Sequence, residues 1–261
     1  MKKILLGIIL ITGCNLSAQN KTAVVYDNHA QVRKVPSFTA ISVSSAIDIY
    51  LTQSNTNDVA VSASEEEIRD HIVTKVVGGT LIIRLGENGS WFSWKKWGNY
   101  KTKAYVSMKD INALTASGAS NIHLVNTIES PKIVIKLTGA SDFHGDIKAG
   151  TLDYRLSGAC DYKGQVTANT ILIDGSGASN IELEGTVDDL SVEVSGASDA
   201  KLYGLSTKGA VVHASGASHA KVNVSEILKA EANGASNIDY KGNPNVKESN
   251  TSGASSIKHR N

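Results

Sequence analysis

Ser176-Gly177-Ala178-Ser179-Asn180 decides the reading of this chain, because it recurs. Ser117-Gly118-Ala119-Ser120-Asn121, Thr138-Gly139-Ala140-Ser141-Asp142 and Ser157-Gly158-Ala159-Cys160-Asp161 precede it. Ser195-Gly196-Ala197-Ser198-Asp199, Ser215-Gly216-Ala217-Ser218-His219, Asn233-Gly234-Ala235-Ser236-Asn237 and Ser252-Gly253-Ala254-Ser255-Ser256 follow it. Successive glycines stand 21, 19, 19, 19, 20, 18 and 19 residues apart. A repeat of that length over more than half a chain means stacked units, each resting on the next.

The residues between the glycines alternate. Leu190, Val192 and Val194 lead to Gly196, and Ala200 and Leu202 leave it, with Ser191, Glu193, Asp199 and Lys201 between them. Period two is strand, and one turn can cover its apolar face only with the same face of the next turn. The expected fold is all-β, a right-handed parallel β-helix with rungs of about 19 residues. The right hand follows from the default of parallel crossovers, and the strict six-residue repeat of left-handed β-helices is absent.

Within the motif, Gly118, Gly139, Gly158, Gly177, Gly196, Gly216, Gly234 and Gly253 read as structural corners where φ is positive or the backbone crowded. The Ala that follows each glycine reads as an inward position too tight for a larger side chain. The Ser that comes next, replaced by Cys160 in one copy, forms one column, and the Asn/Asp position a second. Ser and Asn are expected to bond along their columns. Ser44-Ser45-Ala46-Ile47-Asp48-Ile49-Tyr50-Leu51 aligns with Ser117 to Leu124 as a degenerate ninth copy.

Charge is almost balanced, 26 Lys and Arg against 25 Asp and Glu, so no nucleic-acid partner is expected. The first 18 residues read as an export signal: Lys2-Lys3, then an apolar run from Ile4 to Ile11 that is too short to span a bilayer. Two processing readings stand side by side. Ile11-Thr12-Gly13-Cys14 looks like a lipobox, which would lipidate Cys14 and give the chain its one contact with a membrane. Leu16-Ser17-Ala18 before Gln19 looks like an ordinary cleavage site. The chain is then expected in the cell envelope or secreted. With Cys14 in the leader and Cys160 in the repeat, no internal disulfide is expected. Residues 19–34 read as a polar tether, and 35–258 as a single β-helix domain with irregular first rungs over 35–115 and regular repeats over 116–258. Glu65 to His71 reads as a brief helix or an irregular turn.

Val35-Pro36-Ser37-Phe38-Thr39-Ala40-Ile41-Ser42-Val43, Ala46-Ile47-Asp48-Ile49-Tyr50-Leu51-Thr52-Gln53, Gly79-Thr80-Leu81-Ile82-Ile83 and the Ser-Gly-Ala-Ser repeats together resemble the "putative auto-transporter adhesin, head GIN domain" family. Ala46-Ile47-Asp48 stands where Gly-Ile-Asn is expected. The resemblance implies an exported right-handed β-helix of Bacteroidetes-type bacteria, with adhesion as its role and no catalytic residues. Eight residues follow Gly253, so no translocator barrel is expected on this chain.

Candidate chemistry is sparse. Trp91, Trp94, Trp97 and Tyr100 read as an apolar flap covering the first rungs or as an aromatic platform for a glycan or a protein surface. Asp142 and Asp161 on adjacent rungs could serve a polysaccharide-cleaving enzyme or hold Ca²⁺. The nine-residue calcium repeat is absent, and neither metal nor cofactor is expected. Cys160 reads as a near-isostere of Ser rather than a catalytic thiol. His123, His144, His213 and His219 share no metal-ligand spacing, which leaves them surface or ladder roles. A non-enzymatic adhesion or scaffold module is the leading expectation, with a carbohydrate-active enzyme as the alternative.

Overall fold

The structure is a computed structural model that describes residues 27–86 and 100–261. Its first part comprises β1 (Gln31–Arg33), β2 (Ala40–Val43), β3 (Ile47–Gln53), β4 (Asp58–Ala63), α1 (Glu66–Asp70), β5 (Ile72–Val77), β6 (Thr80–Leu85) and β7 (Thr102–Met108). The repeats supply β8 (Ala113–Ala116), β9 (Ile122–Leu124), β10 (Ile128–Gly139), β11 (Asp142–His144), β12 (Ile147–Gly158) and β13 (Asp161–Gly177). They continue with β14 (Asn180–Val194), β15 (Asp199–Ala214), β16 (His219–Ala232), β17 (Asn237–Lys241), β18 (Asn245–Thr251) and β19 (Ser256–His259).

The repeats stack as a parallel β-solenoid. Strands running into the glycine corner pair in parallel from β8 through β10, β12, β13, β14, β15 and β16 to β18. Strands leaving the corner pair likewise from β9 to β19. These are called here the approach face and the exit face. In one turn Ile181, Leu183, Val187, Leu190, Val192, Val194 and Ser198 point inward and are buried. The alternation slips between Leu183 and Leu190, where the strand bends. Differences in repeat length are absorbed there too: the β14–β15 register shifts between Glu182 and Glu184, and the β15–β16 register between Leu202 and Ser206.

All eight motif glycines hold positive φ, from +62° to +102°. At Gly177 a Cβ would lie 2.5 Å from the Gly158 carbonyl oxygen of the rung below, so the corner is crowded as well as left-handed. The close approach lets the ladder turn the corner unbroken. The Ala178 N–H donates to Gly158 O at 2.8 Å, and the Ala197 N–H to Gly177 O at 2.7 Å.

The inward assignment of the motif Ala is overturned. Ala119, Ala140, Ala159, Ala178, Ala197, Ala217, Ala235 and Ala254 are all exposed, and the Ser after each, or Cys160 after Ala159, is the inward residue. The left-handed glycine turns the chain so that the second residue after it, not the first, meets the core. Ser120, Ser141, Ser179, Ser198, Ser218 and Ser236 are at most 1% exposed. They do not bond hydroxyl to hydroxyl. Ser179 Oγ donates to Ser176 O of its own turn at 2.9 Å, and Ser198 Oγ accepts the Ser179 N–H at 3.3 Å. Each hydroxyl thus satisfies backbone groups that the corner would leave unpaired in the interior. The Asn/Asp column does bond along itself at its ends. Asn121 Nδ2 donates to Asp48 Oδ1 at 2.9 Å, and Ser256 Oγ to Asn237 Oδ1 at 2.6 Å.

The first strands are stacked out of chain order. β2 and β3 form one rung, with β8 and β9 on one side of it and the later β6 and β7 on the other. Ile49 faces Ile122 and Tyr50 faces His123, the register expected of a ninth copy, and Ser45 takes the glycine corner at φ +71°. The open edge of β6 is covered by antiparallel β5, that of β7 by antiparallel β4, and that of β4 by antiparallel β1. Among the described residues β5 and β1 are then the outermost strands, and the aromatic segment expected as a cover lies, apart from Tyr100, outside the described residues. Ile68 of α1 is 2% exposed and joins the same core. Within residues 19–34, β1 pairs with β4, and Asp27 accepts hydrogen bonds from Ser62 Oγ at 2.6 Å and Tyr105 Oη at 3.0 Å.

Candidate functional site

A solenoid of this kind presents its outward columns as its working surface. On the exit face, Tyr105, Tyr50, His123 and His144 occupy one column on consecutive rungs. Their rings stack, with centroids 5.5 Å apart for Tyr105–Tyr50, 5.2 Å for Tyr50–His123 and 5.5 Å for His123–His144. Ring faces used against each other are not free for a sugar, so this ladder is structural. Burial holds the His123 imidazole below its ordinary pKa, with the neighbouring His144 acting in the same direction and Asp48 and Asp142 opposing. Farther along the same face, Asp239 accepts from Arg260 Nε at 3.0 Å, and its other oxygen lies 3.2 Å from His219 Nε2. His213 pairs with Glu231 at 3.4 Å on the approach face.

The sequence candidates are scattered. Trp91, Trp94 and Trp97 lie outside the described residues, as does Cys14. Tyr100 is partly buried against the core. Asp142 and Asp161 face each other in register on adjacent rungs. Cys160 is fully buried, its Sγ 3.4 Å from Ser157 O, the carbonyl the column's Ser would use. Burial pushes its thiol pKa up, the reverse of what a nucleophile needs. Among the described residues no group of His, Cys, Asp and Glu is arranged to hold a metal ion, and no helix is long and apolar enough to cross a membrane.

The approach face carries what the sequence reading missed. Its outward positions are mostly charged or hydroxylic, yet Leu172, Val211 and Ile227 are apolar and 41%, 37% and 45% exposed. They line one groove of about 350 Å³ with Thr170, Asp189, Ser191, Gly209 and Lys229. Register explains the clustering. Leu172, Ser191, Val211 and Lys229 form one column, and Thr170, Asp189, Gly209 and Ile227 the next. Gly209 contributes no side chain, so the second column has a gap beside Val211. Neither Asp142 nor Asp161 lines the groove. The available signal was apolar residues at outward positions one and two rungs apart, visible only once the rungs are aligned on their corners.

A second, smaller groove of about 240 Å³ lies on the exit face where the β14–β15 register slips, lined by Glu182, Glu184, Lys201, Tyr203, Gly204 and Lys221. Four of its lining side chains are charged, and one of them, Glu182, pairs with Lys163 outside the groove at 2.9 Å. The approach-face groove is the more apolar of the two, with Leu172, Val211 and Ile227 exposed in one place.

Solved structures share the fold over nearly their whole length. A "putative adhesin" from Parabacteroides merdae is 18% identical with a TM-score of 0.79, covering 89% of this chain and 95% of that one. A "putative adhesin" from Parabacteroides distasonis is 22% identical with a TM-score of 0.76, covering 88% and 96%. A "putative lipid binding protein" from the same species is 23% identical with a TM-score of 0.75, covering 90% and 98%. At these identities the likeness shows the fold. No curated protein matches the chain. A family model matches residues 37–178 and 155–244, well over half of the sequence, and the chain belongs to the family described as "Putative auto-transporter adhesin, head GIN domain".

Proposed function

We propose that this protein is an exported, non-enzymatic binding module of the adhesin type, and that it makes contact through the approach-face groove. The observation that carries this reading is the gathering of Leu172, Val211 and Ile227 on an otherwise polar outer face. Burying those side chains in a complex is favourable by about 25 cal/mol per Å² of apolar surface removed from water. A stack of in-register strands holds the groove rigid, so little ordering cost is incurred on binding. The family is of surface or exported type, in keeping with the charged start and apolar run of the first 18 residues.

The test is attachment of the purified protein to arrayed glycans and cell-surface proteins, alongside the double variant Leu172→Ser/Val211→Ser. Wild type should attach to at least one class, and the variant should lose most of that attachment while keeping its melting temperature. Undiminished attachment of the variant would remove the groove from the function. For the leader, palmitate labelling that disappears in Cys14→Ser would place the protein on a membrane through one lipidated cysteine. A mature N-terminus at Gln19 would make it a freely exported protein.

A further inference from the structure

The groove has an acidic surround, and this narrows what can occupy it. Its own lining contains Asp189 and Lys229. Two residues along the strands from Leu172, Ser191, Val211 and Lys229 stand Asp174, Glu193, His213 and Glu231, again in register with one another. Outward residues two apart on a strand lie roughly 6.5 Å from each other. On the opposite flank are Asp188, Lys208 and Glu226. Asp188 bonds to Lys208 at 2.7 Å, and the charges of Glu226 and Asp189 also bear on that lysine.

The surround therefore holds six carboxylates (Asp174, Asp188, Asp189, Glu193, Glu226 and Glu231) and two lysines (Lys208 and Lys229), a net charge of 2 − 6 = −4 with His213 neutral. The whole chain has a formal net charge of +1, so the acidity is local. Among the described residues Asp189, Glu193 and Glu226 form no ion pair, and Asp174 stands in register with Arg155, whose guanidinium is paired with Asp153 at 2.7 Å.

A neutral acyl chain would gain nothing from these carboxylates, and an acidic glycan or an anionic lipid headgroup would be repelled by them. An occupant that is both apolar and cationic satisfies the whole surface, since complementary potential speeds encounter and rejects wrong partners. We propose that the groove receives a segment of a partner protein that turns both aliphatic side chains and Lys or Arg toward it on one face. The aliphatic groups cover Leu172, Val211 and Ile227, and the cations meet Asp174, Asp189 and Glu193. This rests on the groove being the contact surface, as set out above.

The experiment measures fluorescence anisotropy of a short labelled lysine–leucine peptide of Leu-Ser-Lys-Ser repeats, which puts leucine and lysine on one face when extended, with the full chain, at low and high salt. Its glutamate–leucine counterpart is measured in parallel, with flotation on phosphatidylcholine and phosphatidylglycerol vesicles as a further arm. The lysine–leucine peptide should bind, and salt should weaken it. Asp174→Asn/Glu193→Gln keeps the shape and should weaken binding on the order of ten-fold while flattening the salt dependence. Leu172→Ser/Val211→Ser keeps the charge and should weaken it to a similar degree.

The proposal is overturned if the lysine–leucine peptide fails to bind, if both peptides bind equally, if phosphatidylglycerol vesicles are preferred, or if neutralising Asp174 and Glu193 changes nothing. Failure here with groove-dependent attachment to arrayed ligands would leave the binding-module reading standing and reject only the cationic partner. Attachment that ignores Leu172→Ser/Val211→Ser would reject the groove itself.

Discussion

Replacing the corner glycine by alanine should have different costs at two copies of the same motif. Gly177 has φ +81°, and an added Cβ would sit 2.5 Å from Gly158 O and 2.9 Å from Gly158 N. Gly118 has φ +62°, but its nearest neighbour would be Ser45 N at 3.6 Å, an ordinary contact. Both substitutions place an L side chain in the left-handed region, at about 1–2 kcal/mol. Ser45 itself already holds φ +71°, so the penalty is bearable at that end of the stack. At Gly177 the rung must also move away from the one below. That stretches the bond from Ala178 N to Gly158 O at 2.8 Å. One weakened bond of about 1 kcal/mol, with about 1–3 kcal/mol of overpacking, brings Gly177→Ala to roughly 3–6 kcal/mol against roughly 1–2 kcal/mol for Gly118→Ala. Urea unfolding followed by circular dichroism reads the difference from the midpoints, provided the slope is unchanged. Equal losses at the two glycines would refute the claim that crowding by the rung below, rather than φ alone, fixes glycine there.

Ala178→Leu should change stability by no more than about 0.5 kcal/mol because the side chain points to solvent, whereas Ser179→Leu should cost more than about 3 kcal/mol by removing the backbone bonds and overpacking the core; thermal unfolding of the pair checks which residue faces inward. Cys160→Ser should be neutral to slightly stabilising, within about 1 kcal/mol, and the native thiol should resist alkylation until the protein unfolds. Burial alone would raise the Asp239 carboxyl, but hydrogen bonds from Arg260 and His219 outweigh it and hold the pKa below the ordinary carboxylate range. A lowered folded-state pKa contributes stability that is present above the unfolded value and is lost as pH falls through the folded one. Asp239→Asn should therefore flatten the acid limb of a melting-temperature profile and leave its neutral-pH slope alone. Arg260→Gln should raise the folded-state pKa toward the unfolded one and so flatten the same limb in part, by narrowing the pH range over which stability is lost.

The solenoid was legible because its causes are local and repeated. Glycines about 19 residues apart and strict alternation between them admit one kind of stack, and each rung restates the instruction. The corner conformation was legible for the same reason, since only glycine takes φ of this sign without cost. Whether Ala178 or Ser179 faces the core was not legible. That depends on the rotation the chain has accumulated after a left-handed residue, a tertiary quantity that residue size does not report. The placing of β6 and β7 outside β2 and β3 was equally hidden, because period-two strands say which face is apolar but not which neighbour they join. The groove belongs wholly to the tertiary structure. Leu172, Val211 and Ile227 are separated in sequence by a rung or more, and only parallel register brings them side by side with Gly209 opening the space between them.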